Sequence, residues 1–404
     1  HIATISAIIE KDYVYRKTIF SLMEETMDFS LDAKQQELVN LAREIAQKEI
    51  APRALDIDKS GVMDEDLLHI LKQSGMTQLA VPKEYGGAGL DLLTGAMISE
   101  ELAKGCAGVA TVCAANSLAS FPILIGGTDE QKKEYFDCLN AGGISCFALT
   151  EPGAGSDAGA VSCRAKKVDG GYVLNGTKCF ITNAPICDKI TLFANTRESG
   201  GIRGLTVFTV DRNTPGISIG KEEDKMGIRA SATSEIIFDD CFVPASARIG
   251  REGMGFRIAM QTLETSRPVV GAISVGIAQA ALENAIHYAH QRKQFGQKIA
   301  SFEMVQEMIA NMVTKTEAAR ALVYKACWLQ MHGDKQASMF SAMSKCFASD
   351  VAMEVTTTAV QVMGGNGYSR ENPNEKYMRD AKIMQIYEGT NQVQRLVIAN
   401  AALY

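Results

Sequence analysis

Residues 146–157 read CFALTEPGAGSD, an apolar run that passes into a Gly-rich turn ending in small hydroxyl and carboxylate groups. Taken alone, this segment is more typical of an ordinary β-turn loop than of a binding site. Its chemical interpretation is a loop whose backbone N–H groups approach a flat or phosphorylated ligand together with the hydroxyls of Thr150 and Ser156. No large side chain would obstruct that approach.

A second segment, KCFITNA at 178–184, places the aromatic Phe180 two residues before Thr182 on a β-prone run. Because alternate residues of a strand share a face, the two side chains are predicted to point the same way. A ring and a hydroxyl on one face can stack on and hydrogen-bond an aromatic cofactor. An inward Phe is, by itself, more often a core residue.

Both segments belong to a β region predicted over residues 143–250, where short β-prone runs are separated by turn-formers such as DGG and TPG. Strands at this spacing predict a small antiparallel sandwich or barrel. Apolar residues recur at helical spacing on either side, which predicts a helical domain over 27–142 and a helix bundle over 251–404. The predicted fold class is therefore α+β.

Length, charge and cysteine usage restrict the function classes. A chain of 404 residues is long enough for two or three domains, and its net charge of −6 argues against a nucleic-acid partner. The ten cysteines are scattered without a C-x-x-C pair, which favours a reduced intracellular compartment and no metal site. Apolar stretches such as 269–281 are interrupted by Gly, Ser and Gln, so no membrane span is predicted.

Residues 1–26 mix acidic and basic groups and have neither an apolar central region nor a small-residue cleavage site, so they do not read as a secretory signal. The sequence from Met27 onward is typical of a natural protein start. We expect residues 1–26 to be an extension that does not belong to the natural chain, with a genuine appended helix as the alternative.

Three further patterns lie in the C-terminal region. Methionines at 304, 308 and 312 repeat every four residues, which favours a core stripe over a cofactor or partner face. The segment HQRKQFG at 290–296 is compatible with an ordinary helix C-terminus that carries Arg. The segment at 361–395 contains GGNG, which can be a C-cap and turn, and YEGT at 387–390, which can be a helix start.

Taken together, TEPGAGSD, RKQFG, GGNGY and YEGT occur in an order that resembles the acyl-CoA dehydrogenase family from Met27 to Tyr404. The sequence around SRPVVGAISVGIAQAAL most resembles the medium-chain branch of that family. The resemblance implies a four-helix bundle after the β domain, an FAD cofactor, an acyl-CoA substrate and an electron-transfer flavoprotein as partner. It also implies a homotetramer, because some FAD contacts are expected from a neighbouring subunit.

The residues that match cofactor contacts of the family fall into several groups. Contacts with the flavin and the thioester are implied for Phe147, Leu149, Thr150 and Ser156. Contacts with the flavin ring are implied for Phe180 and Thr182. Many relatives carry Trp at the Phe180 position. Contacts with the FAD of a neighbouring subunit are implied for Arg292, Gln294, Phe295, Gln361, Gly364 and Gly365. Closure over the cofactor is implied for Thr390 and Gln392.

The chemistry assigns a central role to Glu388. An α-proton of a thioester is a very weak acid, so its removal requires a well-placed carboxylate, stabilisation of the developing enolate and a hydride acceptor. By resemblance Glu388 is the base, its backbone N–H and a flavin hydroxyl bind the thioester carbonyl, and FAD accepts the β-hydride. Substrate contacts are implied for Ser156, Glu264, Arg267, Tyr387 and Gly389.

Several alternatives share this fold and base. An acyl-CoA oxidase would pass electrons to dioxygen, a reductase would run the same chemistry backward, and a flavin-binding protein without turnover would lack the base. The intact YEGT argues against the last of these. The acyl group stays open between straight, branched, cyclic and dicarboxylic chains, and a bacterial cytoplasm is favoured over a mitochondrial matrix.

Overall fold

The computed structural model describes residues 27–404, and the expected leader at 1–26 lies outside the described residues. Residues Leu31–Tyr404 form one compact unit in which helices precede and follow a β region, so the predicted α+β fold class is confirmed. The N-terminal helices are α1 (Ala33–Ile45), α2 (Ala54–Ser60), α3 (Glu65–Gln73), α4 (Leu92–Gly105), α5 (Ala107–Gly126) and α6 (Asp129–Asn140).

Polar side chains cap the first turns of several of these helices. Asp32 and Gln35 form a reciprocal capping box at the start of α1, and Thr128 and Gln131 form another at the start of α6. Each box satisfies two backbone N–H groups that a helix start leaves without an intrahelical partner. These local signals determine where the helices begin before any tertiary packing is considered.

The β region forms one sheet with strand order β6-β7-β3-β2-β4-β5-β8, and β1 pairs with β4. Most pairings are antiparallel, whereas β1 and β2 each pair with β4 in parallel. The strands are β1 (Ser145–Ala148), β2 (Arg164–Val168), β3 (Gly171–Thr182), β4 (Lys189–Asn195), β5 (Leu205–Asp211), β6 (Ile217–Glu222), β7 (Thr233–Pro244) and β8 (Arg248–Ile249).

Aromatic side chains fill the core of this sheet. Phe193 and Phe208 are fully buried, and their rings pack against Phe147 at 4.9 Å and Tyr172 at 5.0 Å between ring centroids. Tilted and edge-to-face pairs of this kind contribute about 0.5–1.5 kcal/mol beyond the area that they bury. Phe147 therefore stabilises the sheet at the strand that leads into the Gly-rich loop.

The C-terminal region is a bundle of long helices. Gly276 marks a close approach of this bundle to α4, since an added Cβ would lie 2.3 Å from the carbonyl oxygen of Glu100. The Glu100 carboxylate accepts bonds from Arg320 at 2.9 Å and Tyr324 at 3.0 Å, which ties α4 to the bundle. The elements are α7 (Gly255–Gln291), β9 (Lys293–Gln294), β10 (Gln297–Lys298), α8 (Glu303–Met331), α9 (Ala337–Met363), α10 (Pro373–Met384) and α11 (Asn391–Leu403).

Two described helices, Ala107–Gly126 and Gly255–Gln291, are long and apolar enough to cross a membrane by length and composition alone. The expectation that no stretch reaches this length is wrong for them. Most of the apolar window in each helix is buried inside the protein, as in a core helix. Packing against neighbouring elements thus accounts for their composition.

The methionine stripe on α8 is only partly a core feature. Met312 is buried, but Met304 is 72% exposed in the single chain. The prediction of a continuous core stripe is therefore wrong for the N-terminal end of α8. Helical periodicity identifies an apolar face but does not say whether an element of the same chain covers it.

Candidate active site

The turn between α10 and α11 holds Glu388 in an unusual backbone conformation. Glu388 has φ 53° and Gly389 has φ 93°, so two consecutive residues adopt the left-handed region. This region is strained for a residue with a Cβ, whereas Gly enters it without steric cost, and such strain persists only where surrounding contacts impose it. Thr390 then caps α11 by accepting a bond from the Val393 N–H at 3.3 Å.

The Glu388 carboxylate lies in a desolvated environment. Burial raises its pKa above the ordinary glutamate value, although the Ser266 hydroxyl and the cations Arg267 and Lys345 act in the opposite direction. Ser266 donates directly to one carboxylate oxygen. A carboxylate whose pKa is raised toward neutrality is a stronger base at the operating pH than an ordinary glutamate.

The backbone of the turn is held by donors from two other helices and from α11. Lys345 Nζ donates to the Gly389 carbonyl at 2.8 Å, and Gln394 Nε2 donates to the carbonyls of Gly389 and Glu388 at 3.0 and 3.2 Å. Arg267 Nε makes a long contact of 3.5 Å with the Glu388 carbonyl. By contrast, the Glu388 N–H has no hydrogen-bond partner within residues 27–404. It is therefore available to a ligand oxygen.

The predicted substrate residues Glu264 and Arg267 lie on α7 one turn apart. Arg267 is buried, and burial lowers the pKa of its guanidinium while the carboxylates of Glu388 and Glu264 raise it. Glu264 is half-buried and accepts a bond from Ser338 at 2.8 Å. The structure thus brings Arg267 to the Glu388 turn and leaves the Glu264 carboxylate one turn away, facing the start of α9.

The Gly-rich loop is anchored by a buried ion pair. Lys178 Nζ donates to Glu151 at 2.7 Å and to the Leu149 carbonyl at 2.9 Å. Burial raises the pKa of Glu151, but Lys178 and the donors of Ser162 outweigh it and hold that pKa below the ordinary value. Ser156, further along the same loop, is exposed.

The strand that carries Phe180 and Thr182 is irregular. The pairing of β3 with β7 shifts register between Lys178 and Ile181, and Phe180 adopts a left-handed φ of 56°. A bulge thus interrupts the regular pleat beside Phe180, and the shared face of Phe180 and Thr182 stays a prediction. The Phe180 ring is 66% exposed, whereas Thr182 is half-buried.

Helix α5 links the β half of the site to the Glu388 turn. Asn183, which directly follows β3, donates to the Val112 carbonyl at 3.0 Å. The neighbouring hydroxyl of Thr111 acts on Tyr387, whose pKa is raised by burial and by the Glu388 charge and lowered by Thr111. Thr111 and Val112 of α5 therefore lie between the two halves.

The residues expected at the neighbouring subunit's cofactor form a separate group. Arg292 and Gln294 follow the end of α7, and Phe295, with a φ of 51°, is 94% exposed. Gln361 and the glycines 364 and 365 are exposed at the end of α9, where Asn366 donates to Tyr288 of α7 at 2.6 Å. Gln392, which is expected instead to close over the cofactor, lies on the first turn of α11 next to the Glu388 turn and is exposed.

Arg292 is far from the Glu388 turn of the same chain. Arg267 and Arg292 are 25 residues apart on one helical path, which corresponds to roughly 37 Å at 1.5 Å per residue. One small ligand group cannot contact both arginines of one chain. The assignment of individual site residues stays a prediction, but this separation is compatible with contacts to a different chain.

Sequence reasoning missed Ser266, Lys345 and Gln394. The sequence does contain a signal for Lys345. The residues three, four and seven positions further along α9 are Ala348, Ser349 and Ala352, so Lys345 shares a helix face with small side chains. A lysine on such a face is either paired or functional. Ser266 and Gln394 have no comparable signal, since a polar residue next to a motif is common.

Comparison with known proteins identifies the class. Residues 32–143, 146–241 and 253–403 match the N-terminal, middle and C-terminal domains of acyl-CoA dehydrogenase. The chain is 44% identical to the acryloyl-CoA reductase (NADH) of Anaerotignum propionicum, over 93% of this chain and 96% of that protein. The butyryl-CoA dehydrogenase structure from Megasphaera elsdenii superposes with a TM-score of 0.91 at 44% identity, covering 94% of this chain and 100% of that one.

A chain in the structure of the electron transferring flavoprotein of Acidaminococcus fermentans, from work on flavin-based electron bifurcation, also has a TM-score of 0.91. The identity is 46%, over 93% of this chain and 100% of that chain. The chain belongs to the acyl-CoA dehydrogenase family. It is an FAD-dependent oxidoreductase that acts on CH–CH donors.

The described residues fit an FAD cofactor. The exposed Phe180 ring offers a stacking surface, and a Cβ added at Gly153 or Gly155 would meet no atom within 4 Å, so the loop beside it is open. The hydroxyls of Thr150 and Thr182 can serve the polar edge of a flavin. An aromatic ring, a Gly-rich loop and hydroxyls form a donor set suited to a flat heteroaromatic group.

Proposed function

We propose that the protein removes the α-proton and β-hydride of an acyl-CoA thioester to give the trans-2-enoyl-CoA, with Glu388 as the base. The observation that carries this proposal is the Glu388 turn, which combines a carboxylate of raised pKa with an N–H that has no partner within residues 27–404. The first group can accept the α-proton, and the second can bind the thioester carbonyl on which negative charge develops.

Each neighbour of Glu388 has a part in this step. Ser266 orients one carboxylate oxygen through its hydrogen bond, which leaves the other oxygen to accept a proton. Arg267 supplies a buried cation suited to an anionic part of the substrate. FAD, when bound, supplies the acceptor for the hydride that leaves the β carbon. Substrate binding excludes water from Glu388 and raises its basicity further.

We further propose a short straight acyl chain and an electron-transfer flavoprotein as the electron acceptor. The first is supported by the similarity to the butyryl-CoA dehydrogenase of Megasphaera elsdenii. The second is supported by the similarity to a chain in the electron transferring flavoprotein structure of Acidaminococcus fermentans. An oxidase would instead release hydrogen peroxide in air. We propose the bacterial cytoplasm as the location.

Anaerobic bleaching of the flavin absorbance tests the reaction and the substrate together. The panel is butyryl-, octanoyl-, isovaleryl-, cyclohexanecarbonyl- and glutaryl-CoA, mixed with purified enzyme in the absence of oxygen. We expect the fastest bleaching with butyryl-CoA and a trans-2-enoyl product. If no thioester in the panel bleaches the flavin, the proposed reaction is wrong, and if another thioester reacts fastest, only the proposed chain length is wrong.

A reductase is the second candidate function, because the acryloyl-CoA reductase of Anaerotignum propionicum is 44% identical over nearly the whole chain. The same base would then return a proton to the α carbon. Reduction of acryloyl- or crotonyl-CoA by the pre-reduced enzyme, compared with oxidation of the saturated thioester, distinguishes the two directions. Reoxidation of the flavin by enoyl-CoA at least tenfold faster than its bleaching by the saturated thioester would favour the reductase.

We also propose that two chains share each cofactor site in a homotetramer. The separation of Arg292 from the Glu388 turn supports this arrangement, and the exposed apolar side chains of Phe295 and Met304 are compatible with a subunit interface. Light scattering of the FAD-loaded protein measures the assembly. A monomer that retains FAD tightly would contradict the shared site.

A further inference from the structure

Lys345 is a buried lysine whose nearest partners carry no charge. It is fully buried in α9, and its Nζ contacts the Gly389 carbonyl at 2.8 Å and the Asn391 Oδ1 atom at 2.9 Å. No carboxylate within residues 27–404 lies at ion-pair distance from it. A buried ammonium without a salt bridge is costly, so its retention at this position calls for a local reason.

The other three buried lysines of the described chain are arranged differently. Lys178 pairs with Glu151 at 2.7 Å, and Lys376 pairs with Asp380 at 2.6 Å. Lys189 pairs with Asp211 at 2.6 Å and with Glu134 at 3.0 Å. Each of these cations has its own carboxylate in contact. Lys345 instead contacts the backbone of the turn that carries the proposed base, which indicates a role tied to that turn.

The contacts of Asn391 make this attachment rigid. Its amide donates to the Cys346 carbonyl at 3.2 Å and to Asp350 at 2.8 Å, while its oxygen accepts from Lys345. Both ends of the segment 389–391 are thus connected to one stretch of α9. Because Glu388 and Gly389 occupy left-handed conformations, these contacts are of the kind needed to hold a strained turn.

Lys345 and Glu388 also interact electrostatically. Burial lowers the pKa of Lys345 to about 8, and the charge of Glu388 is the largest influence in the opposite direction. The remaining groups that act on Lys345 are Cys346 and Asp350 on α9 and Arg267 on α7. At pH 7 the ammonium is the main form of Lys345, and its positive charge favours the ionised form of the Glu388 carboxyl.

We propose that Lys345 is a positioning residue for the reaction, which holds the Glu388–Gly389 turn and favours the ionised form of the Glu388 carboxyl. This inference rests on the proposed role of Glu388 as the base. It assigns to α9 a part in proton abstraction that no motif of the sequence indicates. Lys345 does not touch the substrate, because its Nζ is directed to the main chain of the turn.

The test compares the pH profiles of kcat/KM for wild type, Lys345→Met and Lys345→Arg. Lys345→Met removes the charge, so Glu388 should hold its proton to higher pH. The acidic limb of the kcat/KM profile should then move to higher pH by roughly one unit, which is the pKa shift that a nearby opposite charge commonly produces. Lys345→Arg keeps the charge, so its acidic limb should stay at the wild-type pH even if its rate is lower. A purely structural role would lower the rate equally at every pH.

A matched control is Lys325→Met, since Lys325 is a half-buried lysine of α8 that lies over the Phe340 ring at 4.4 Å and contacts no residue of the turn. The acidic limb of the kcat/KM profile of Lys325→Met should stay at the wild-type pH. Infrared difference spectra of the protonated carboxyl band give a readout independent of turnover, with Glu388→Gln used to identify the Glu388 signal. In Lys345→Met this signal should persist to higher pH than in wild type.

Thermal unfolding establishes that each variant is folded. Should Lys345→Met fail to fold, Lys345→Gln carries the same test, because its amide can still donate to the turn while the charge is absent. An acidic limb and a carboxyl band that stay at the wild-type pH in a folded, uncharged variant would overturn the proposal. Absence of turnover in the wild type would instead contradict the proposed function, so the two failures are distinguishable.

Discussion

Replacement of Glu388 by Gln is the most direct test of the catalytic assignment. Gln retains an oxygen that can accept the Ser266 hydrogen bond, and the bonds from Lys345 and Gln394 go to main-chain carbonyls that the substitution leaves in place. The turn and the cofactor site should therefore persist. Only the proton-accepting carboxylate is lost, so the effect on the rate isolates general-base catalysis.

The expected loss in the rate of flavin bleaching is at or beyond the upper end of about 10²–10⁴-fold, the range for removal of a general base. This range corresponds to about 2.7–5.5 kcal/mol of activation free energy. The upper end is expected because the α-carbon is a very weak acid and the described residues offer no second carboxylate at the turn. Stopped-flow bleaching measures the rate, and thioester binding to the variant should be largely retained.

A matched control is Glu375→Gln, which removes a carboxylate from the same C-terminal motif but disturbs only the ion pair with Arg379, at 2.7 Å. This variant should bleach at close to the wild-type rate. A Glu388→Gln enzyme that keeps more than about a tenth of wild-type activity exceeds what a missing general base allows and would refute the assignment.

The same variant has a predictable effect on stability. Because burial raises the pKa of Glu388, the folded state binds more protons than the unfolded state between the ordinary glutamate pKa and the raised one. The contribution of Glu388 to stability is therefore complete below the ordinary pKa and is lost as the pH rises through the raised value. Relative to wild type, the Tm of Glu388→Gln should increase across this window, and a constant difference from acidic to neutral pH would contradict the linkage.

Three further outcomes are expected. Ser266→Ala removes a donor to the ionised Glu388 carboxyl, so the acidic limb of kcat/KM should move to higher pH, whereas a uniform loss of rate at every pH would contradict this role. Arg292→Ala should weaken FAD retention in gel filtration by a free energy of about 1.5–3 kcal/mol, the size of a charge-assisted hydrogen bond, and unchanged FAD affinity would exclude Arg292 from the cofactor site. Lys178→Met leaves the buried Glu151 charge without its partner and should lower the free energy of unfolding in urea by about 3–5 kcal/mol; a loss below about 1 kcal/mol would mean that the pair behaves as an exposed one.

Much of the architecture follows from local sequence. Capping residues, helical spacing and turn-formers predict helices before and after a β region, and the structure has that order. The Gly-rich loop and YEGT identify the family because their residue types are needed for backbone approach and for a base. These predictions succeed because they depend on neighbours close in the chain.

Predictions that depended on orientation or coverage were less successful. Strand alternation gave no sign of the bulge between Lys178 and Ile181, because that bulge is a property of the pairing between β3 and β7. Helical spacing did not predict the exposure of Met304, because spacing identifies a face and only the fold determines what covers it. The strand that pairs at the bulge is distant in sequence from β3.

The sequence by itself determined the fold class, the family and the identity of the carboxylate proposed as the base. The tertiary structure decided the environment of that carboxylate. It brings Ser266 of α7 and Lys345 of α9 to a left-handed turn, where burial raises the pKa of Glu388 and the neighbouring charges oppose that rise. Residues more than forty positions apart in the chain meet there, and a pKa depends on distance and desolvation, which exist only once the helices have packed.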